Sequence, residues 1–126
     1  ASSGDMTIFG GLNGTFFYEE LCMGASGTMP AGEFPEVLVN VYNTYQSGNK
    51  KKAKEIFYTY LPFIRLGSIP GGMAMAVHKE ILKRGGIFTT SKVRNPYIPA
   101  SKELIQLALD AIDGLDLLAL TGKATK

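Results

Sequence analysis

Residues 4–30, GDMTIFGGLNGTFFYEELCMGASGTMP, decide the fold. Met6-Thr7-Ile8-Phe9 is a short apolar run halted by Gly10-Gly11, which suits a buried strand ending in a tight loop. Asn13 or Gly14 can cap the next segment. Thr15 to Met23 carries Phe17, Leu21 and the Phe16/Glu20 pair at helical spacing, and Gly24 closes it. Ala25 to Met29 reads as a second short strand of small residues, stopped by Pro30. Strand, short helix and strand make a βαβ unit, which requires parallel pairing and a right-handed crossover.

Downstream the chain turns helical. Phe34, Val37, Leu38, Val41, Tyr42 and Tyr45 alternate at three and four residues, with Pro35 fit for the first turn and Gly48 for the stop. Lys50 to Leu66 repeats the pattern through Ala53, Ile56, Phe57, Tyr60, Leu61 and Ile64, and Pro62 is expected to kink it. Pro70 is expected to open a third helix with Val77, Ile81 and Leu82 on its apolar side, ended by Gly85-Gly86. Residues 87–100 read as a loop punctuated by Pro96 and Pro99. Ser101 then caps a last helix whose buried stripe is Leu104, Ile105, Ala108, Leu109 and Ile112. Gly114 ends it, and Thr121 to Lys126 is expected to fray. Two strands cannot close a sheet, because parallel strands need both faces covered and neighbours on both edges. The helices can pack on one another, but the strand pair needs partners.

Composition narrows the function. The 126 residues are 45% hydrophobic and 19% charged, values that argue against disorder. Thirteen basic against eleven acidic side chains give +2, too little to suggest nucleic acid or a membrane surface as a partner. One cysteine, Cys22, excludes an internal disulfide and a Cys-rich zinc site and fits a reducing cytoplasm. No apolar run approaches the ~18 residues of a membrane span. The opening Ala1-Ser2-Ser3-Gly4-Asp5 has neither an initiator methionine nor a signal-peptide pattern, as expected of a piece cut from something longer.

No complete catalytic constellation stands out, and neither a metal nor a cofactor is expected. Gly10-Gly11-Leu12-Asn13-Gly14 lies between a strand and a helix start, where outward backbone amides favour an anion or a polar substrate group. It has neither a Walker Lys-Ser/Thr pair nor G-x-G-x-x-G spacing, and a plain glycine turn is the simpler reading. Glu19 and Glu20 point about 100° apart on a helix, which suits a solvated face better than a shared proton. His78, the only histidine, reads as a surface or packing residue, and Cys22 as a small buried hydrophobe. Lys50, Lys51, Lys52 and Lys54 open a helix against its dipole and read as a solvated face with no interleaved aromatic platform. Tyr42, Tyr45 and Tyr60 fall on helical stripes as core or interface.

Taken in order, these motifs resemble the dihydrodipicolinate synthase/N-acetylneuraminate lyase family of Schiff-base aldolases. The match runs through the glycine loop, the short helix, Gly24-Ala25-Ser26-Gly27 and Thr28-Met29. It continues through Asn49 to Lys54, the proline-opened helix and the turn Arg94-Asn95-Pro96-Tyr97-Ile98-Pro99. It covers Gly4 to about Leu118. The resemblance implies the C-terminal portion of a (β/α)8 TIM barrel, an α/β fold, followed by a C-terminal helical extension. Residues 1–48 would be the last two βα units and 49–126 the extension. A whole barrel takes about 250 residues, so six strands would lie upstream, together with the family's Schiff-base lysine and proton-relaying tyrosine. A Schiff-base lysine needs an apolar, desolvated seat at the end of a strand. No lysine of this chain ends an apolar strand, so no residue here is expected to be catalytic.

The resemblance places Gly11, Leu12 and Asn13 at the C-terminal end of strand seven and Met29 in strand eight, where they would touch the tail of a pyruvate-like or other 2-keto-acid substrate through backbone groups. Leu12-Asn13 stands where many synthases carry Gly-Asp, and Thr28-Met29-Pro30 where they often have Ile-Ser-Val, which leaves sugar-acid aldolases and dehydratases open. His78 replaces a lysine common in the extension and reads as packing or subunit contact. The implied parent is a cytoplasmic homo-oligomer, tetrameric in the family, with no nucleic-acid or membrane partner. A different class of function, a non-catalytic helical interaction module assembling through strand edges, would show itself by concentration-dependent sedimentation.

Overall fold

The structure, a computed structural model, describes residues 6–69 and 72–121. It begins with strand β1 (Phe9–Gly10), a 3-10 turn (Leu12–Gly14) and helix α1 (Phe17–Cys22). Strand β2 (Gly27–Thr28) comes next, then helices α2 (Pro35–Gln46), α3 (Lys50–Leu66), α4 (Met73–Arg84), α5 (Lys102–Ile112) and α6 (Leu118–Thr121). The strands pair in parallel, Phe9 opposite Gly27 and Gly10 opposite Thr28, so the crossover through α1 is the βαβ unit read from the sequence.

The ladder is shorter and barer than expected. Each strand holds two residues rather than the four or five of Met6–Phe9 and Ala25–Met29. The expectation of burial fails as well: Met6, Ile8 and Phe9 are exposed. Among the described residues β1 and β2 have only each other as neighbours. A parallel ladder without further strands or covering helices has nothing to extend it or dry its faces.

The helical layer obeys its periodicity. Pro35 occupies the first turn of α2, and Val37, Leu38 and Val41 are buried. Asn49 caps α3 by accepting the Lys52 amide at 3.2 Å, and Ser101 caps α5 by accepting the Leu104 amide at 3.2 Å. The helix α3 continues through Pro62 as one element from Lys50 to Leu66. Pro62 lies on the exposed side of the helix. Pro70, expected to open α4, lies outside the described residues, and α4 starts at Met73 with its apolar side as read and ends at Gly85. Thr121 closes α6 rather than beginning a tail, while 122–126 lie outside the described residues.

One core joins all this. Phe34, Phe57, Phe63 and Ile64 are fully buried, with Phe34 and Phe63 edge to face at 5.5 Å. Phe17 and Leu21 of α1 reach it from the βαβ side, and Ala108, Ile112 and Leu117 from the C-terminal side. Apolar burial is the main stabilising contribution here, and it anchors the βαβ unit on the helices.

Candidate functional site

The two parallel strands finish side by side, and the turns leaving their C-terminal ends meet. The turn after β1 has an unusual backbone: Leu12, Asn13 and Gly14 all have positive φ, at 48°, 59° and 75°. Glycine adopts this region freely and asparagine tolerates it, but for leucine it is a true outlier. Gly14 has a second reason to lack a side chain, since a Cβ there would stand 2.8 Å from Leu38 Cδ1.

Polar contacts hold this turn in place. The Ala31 amide, just past β2, donates to Asn13 Oδ1 at 2.7 Å, and Asn13 Nδ2 donates to the Ile64 carbonyl near the end of α3 at 3.4 Å. The Leu12 carbonyl accepts from the Thr15 hydroxyl at 2.7 Å and from the Ser68 hydroxyl at 3.2 Å. One side chain, Asn13, thus ties both strand-end turns to the helical layer.

Beneath it lies a group the sequence reading did not assemble. His78 of α4 is buried and bonds through Nδ1 to Glu33 Oε1, while its Nε2 donates to the Gly67 carbonyl at 2.9 Å. Glu33 is fully buried, and its Oε2 has no hydrogen-bond partner among the described residues. A carbonyl can only accept, so Nε2 is the donor to Gly67, and Nδ1 faces the carboxyl group of Glu33. His78 is therefore a packing residue as expected, but one with a carboxylate partner 45 residues away. A Cβ on Gly67 would fall 2.5 Å from His78 Cε1 and 2.6 Å from Asn13 Nδ2, so both groups crowd the same point.

Of the expected site residues, Gly11, Leu12 and Asn13 form the turn after β1, and Met29 lies just after β2. The structure links Asn13 to the Met29 side through Ala31. Leu12 and Met29 are exposed, whereas the Asn13 amide is turned inward. Other readings change. Cys22 is exposed rather than a buried hydrophobe, because α1 ends there and turns its last residue outward. Glu19 and Glu20 are half-buried, not a solvated pair: Glu19 accepts the Tyr58 hydroxyl at 2.7 Å, and Glu20 packs its carboxylate over Gly10. That bond, then partial burial, raises the Tyr58 phenol above its usual range. The lysine run is solvated, yet Lys50 stacks 5.1 Å over the Tyr45 ring and Lys54 5.5 Å over Tyr58, so aromatic partners are present after all.

Every described lysine is exposed except Lys79, which is half-buried and donates to the Lys92 carbonyl at 2.8 Å. Among the described residues no three His, Cys, Asp or Glu side chains converge in a way that could hold a metal ion. None of the described helices is long and apolar enough to cross a membrane. Two grooves flank the strands. One, of about 220 Å³, lies between β2 and α2, against Phe17, Thr28, Leu38 and Tyr42. The other, of about 360 Å³, lies beside β1, against Phe9, Gly11, Glu20 and Met23.

This geometry has close counterparts among solved structures. The crystal structure of dihydrodipicolinate synthase from Rhodopseudomonas palustris superposes with a TM-score of 0.81 and 28% sequence identity over 89% of this chain. The chain is similar to part of a dihydrodipicolinate synthase. A monomeric dihydrodipicolinate synthase variant shares the fold at a TM-score of 0.75 and 22% identity over 88% of the chain. The chain spans 37% and 36% of the length of these two synthase chains. No protein-family model and no curated protein sequence matches it. The likeness agrees with the family resemblance drawn from the glycine turn, the short helix and the proline-punctuated loop.

Proposed function

We propose that this chain supplies the last two strands and the C-terminal helical extension of a Schiff-base aldolase-type lyase. In this reading residues 1–48 complete a (β/α)8 barrel and 49–126 form the extension. Gly11, Leu12, Asn13 and Met29 line the part of the mouth that receives the tail of a 2-keto acid or its aldol. The 28% identity to a dihydrodipicolinate synthase at a TM-score of 0.81 carries the proposal. The bare edges of β1 and β2 and the grooves beside them support it, because neighbouring barrel strands and helices would fill both.

The chain's own part in the chemistry is to bind and orient. Strand ends and their loops form the active face of such barrels. The nucleophilic lysine and the proton-relaying tyrosine would come from strands outside this chain, since no described lysine has the desolvated seat that keeps an amine neutral. The parent would be a cytoplasmic homo-oligomer.

A chimera tests this. Replacing the matching segment of the Rhodopseudomonas palustris synthase with this chain should give a protein trapped by pyruvate and borohydride as a covalent lysine adduct, read by mass spectrometry. The isolated chain should give none. A folded chimera that forms no adduct, or an adduct on the isolated chain, would overturn the proposal.

A further inference from the structure

We infer that His78, aimed by Glu33, is a positioning residue for the turn after β1, acting through the Gly67 carbonyl. The inference rests on the proposed function only in calling that turn substrate-facing. Its physical basis is independent. Leu12 and Asn13 sit at positive φ, a conformation that persists only where the surroundings over-determine it. Two of the contacts that hold it, beside those from Thr15 and the Ala31 amide, come from one short stretch, Ile64 and Ser68, at the end of α3. That stretch ends in a turn whose Gly67 carbonyl is pinned by a buried imidazole, and the imidazole is pinned in turn by a fully buried carboxylate.

The crowding over Gly67 makes the coupling direct. His78 Cε1 and Asn13 Nδ2 both stand within 2.6 Å of the point a Cβ on Gly67 would occupy, so ring and amide converge on the same glycine. Gly67 has an ordinary right-handed conformation at φ −72°, so an alanine there keeps the backbone but presses on both His78 and the Asn13 amide.

Hydrogen exchange of the Ala31 amide reads the turn, because that amide is held by Asn13 Oδ1. Exchange of the Val41 amide, in the core helix α2, reads global stability. An amide at the end of a glutamine side chain stands where His78 Nε2 does, whereas that of asparagine stands where Nδ1 does. His78→Asn and Gly67→Ala should therefore speed Ala31 exchange on the order of tenfold relative to Val41. His78→Gln, which keeps a donor for Gly67, should stay within about threefold of the unmodified chain. A purely structural role would change Ala31 and Val41 in parallel in every variant, and that result overturns the inference. So does equal behaviour of His78→Asn and His78→Gln. If His78→Asn fails to fold, the double variant Glu33→Met with His78→Leu decides, since it removes the donor to Gly67 without stranding the carboxylate: Ala31 exchange unchanged relative to Val41 then overturns the inference. The measurement uses no substrate, so its failure is distinct from failure of the chimera to form an adduct.

Discussion

Replacing His78 by leucine keeps most of the ring's volume and removes both of its hydrogen bonds. Glu33, whose side chain is 0% exposed, would then lose its bond at Oε1, and its Oε2 has none among the described residues to begin with. Breaking a buried pair in this way costs about 3–5 kcal/mol, and the Gly67 carbonyl losing its donor adds about 1 kcal/mol. Total stability for a domain of this size is about 5–15 kcal/mol, so the melting temperature should fall on the order of 15 °C. The double variant Glu33→Met with His78→Leu removes the stranded carboxylate and refills the space with apolar atoms. It should recover to within about 1.5 kcal/mol of the unmodified chain. Urea unfolding monitored by circular dichroism gives the free energies, provided the denaturant slope is unchanged, and a thermal melt gives the midpoint temperature. If His78→Leu costs under about 1 kcal/mol, or the double variant is no more stable than the single one, the reasoning about a buried, mutually dependent pair is wrong.

Single features carry further expected outcomes. Leu12→Gly should raise stability by about 1 kcal/mol in thermal melts, since the 63% exposed side chain contributes little burial and its φ of 48° is relieved. Gly14→Ala should lower it by about 1–3 kcal/mol, as it combines a positive φ with an overlap on Leu38. Asn49→Ala should lower it by about 1 kcal/mol through loss of the α3 cap, seen as a lower urea midpoint. Burial raises the Tyr60 phenol above 10.0, with the nearby Asp116 carboxylate adding to the effect. A raised value favours the neutral phenol in the folded state, so its contribution is complete below pH 10 and is lost as pH rises through the folded value. Unfolding free energies measured from pH 9 upward should show that loss, and Tyr60→Phe should diminish it.

The helical layer was legible because its signals are local. Pro35, Gly48, Asn49 and Ser101 bracket stripes of apolar residues, and the helices begin and end beside them. Strand pairing was legible from the βαβ order, but strand length was not, since a ladder extends only as far as its neighbours do. Cys22 misled because helical spacing does not reveal that α1 stops at that residue. The helix α6 is a single turn with no capping signature, too short for periodicity to register. The turn after β1 was located by its glycines, yet its strained backbone was not foreseen, for Leu12 at positive φ contradicts local preference. The Glu33–His78 pair joins residues 45 apart, which no spacing rule reaches. A hint existed: His78 sits beside Val77 and one turn before Ile81 and Leu82, on the apolar face, and Glu33 directly precedes the core residue Phe34. Two polar groups committed to one core need each other.

The inward fold of the Asn13 amide determines what the turn can offer a visiting molecule. Its oxygen and its nitrogen are both engaged by main-chain atoms of other segments, so the outer surface there consists of peptide groups and the isobutyl group of Leu12. A surface of that kind discriminates by contour and by the spacing of its peptide dipoles. Exchanging the residue at position 12 therefore reshapes that contour, while the anchoring beneath stays fixed.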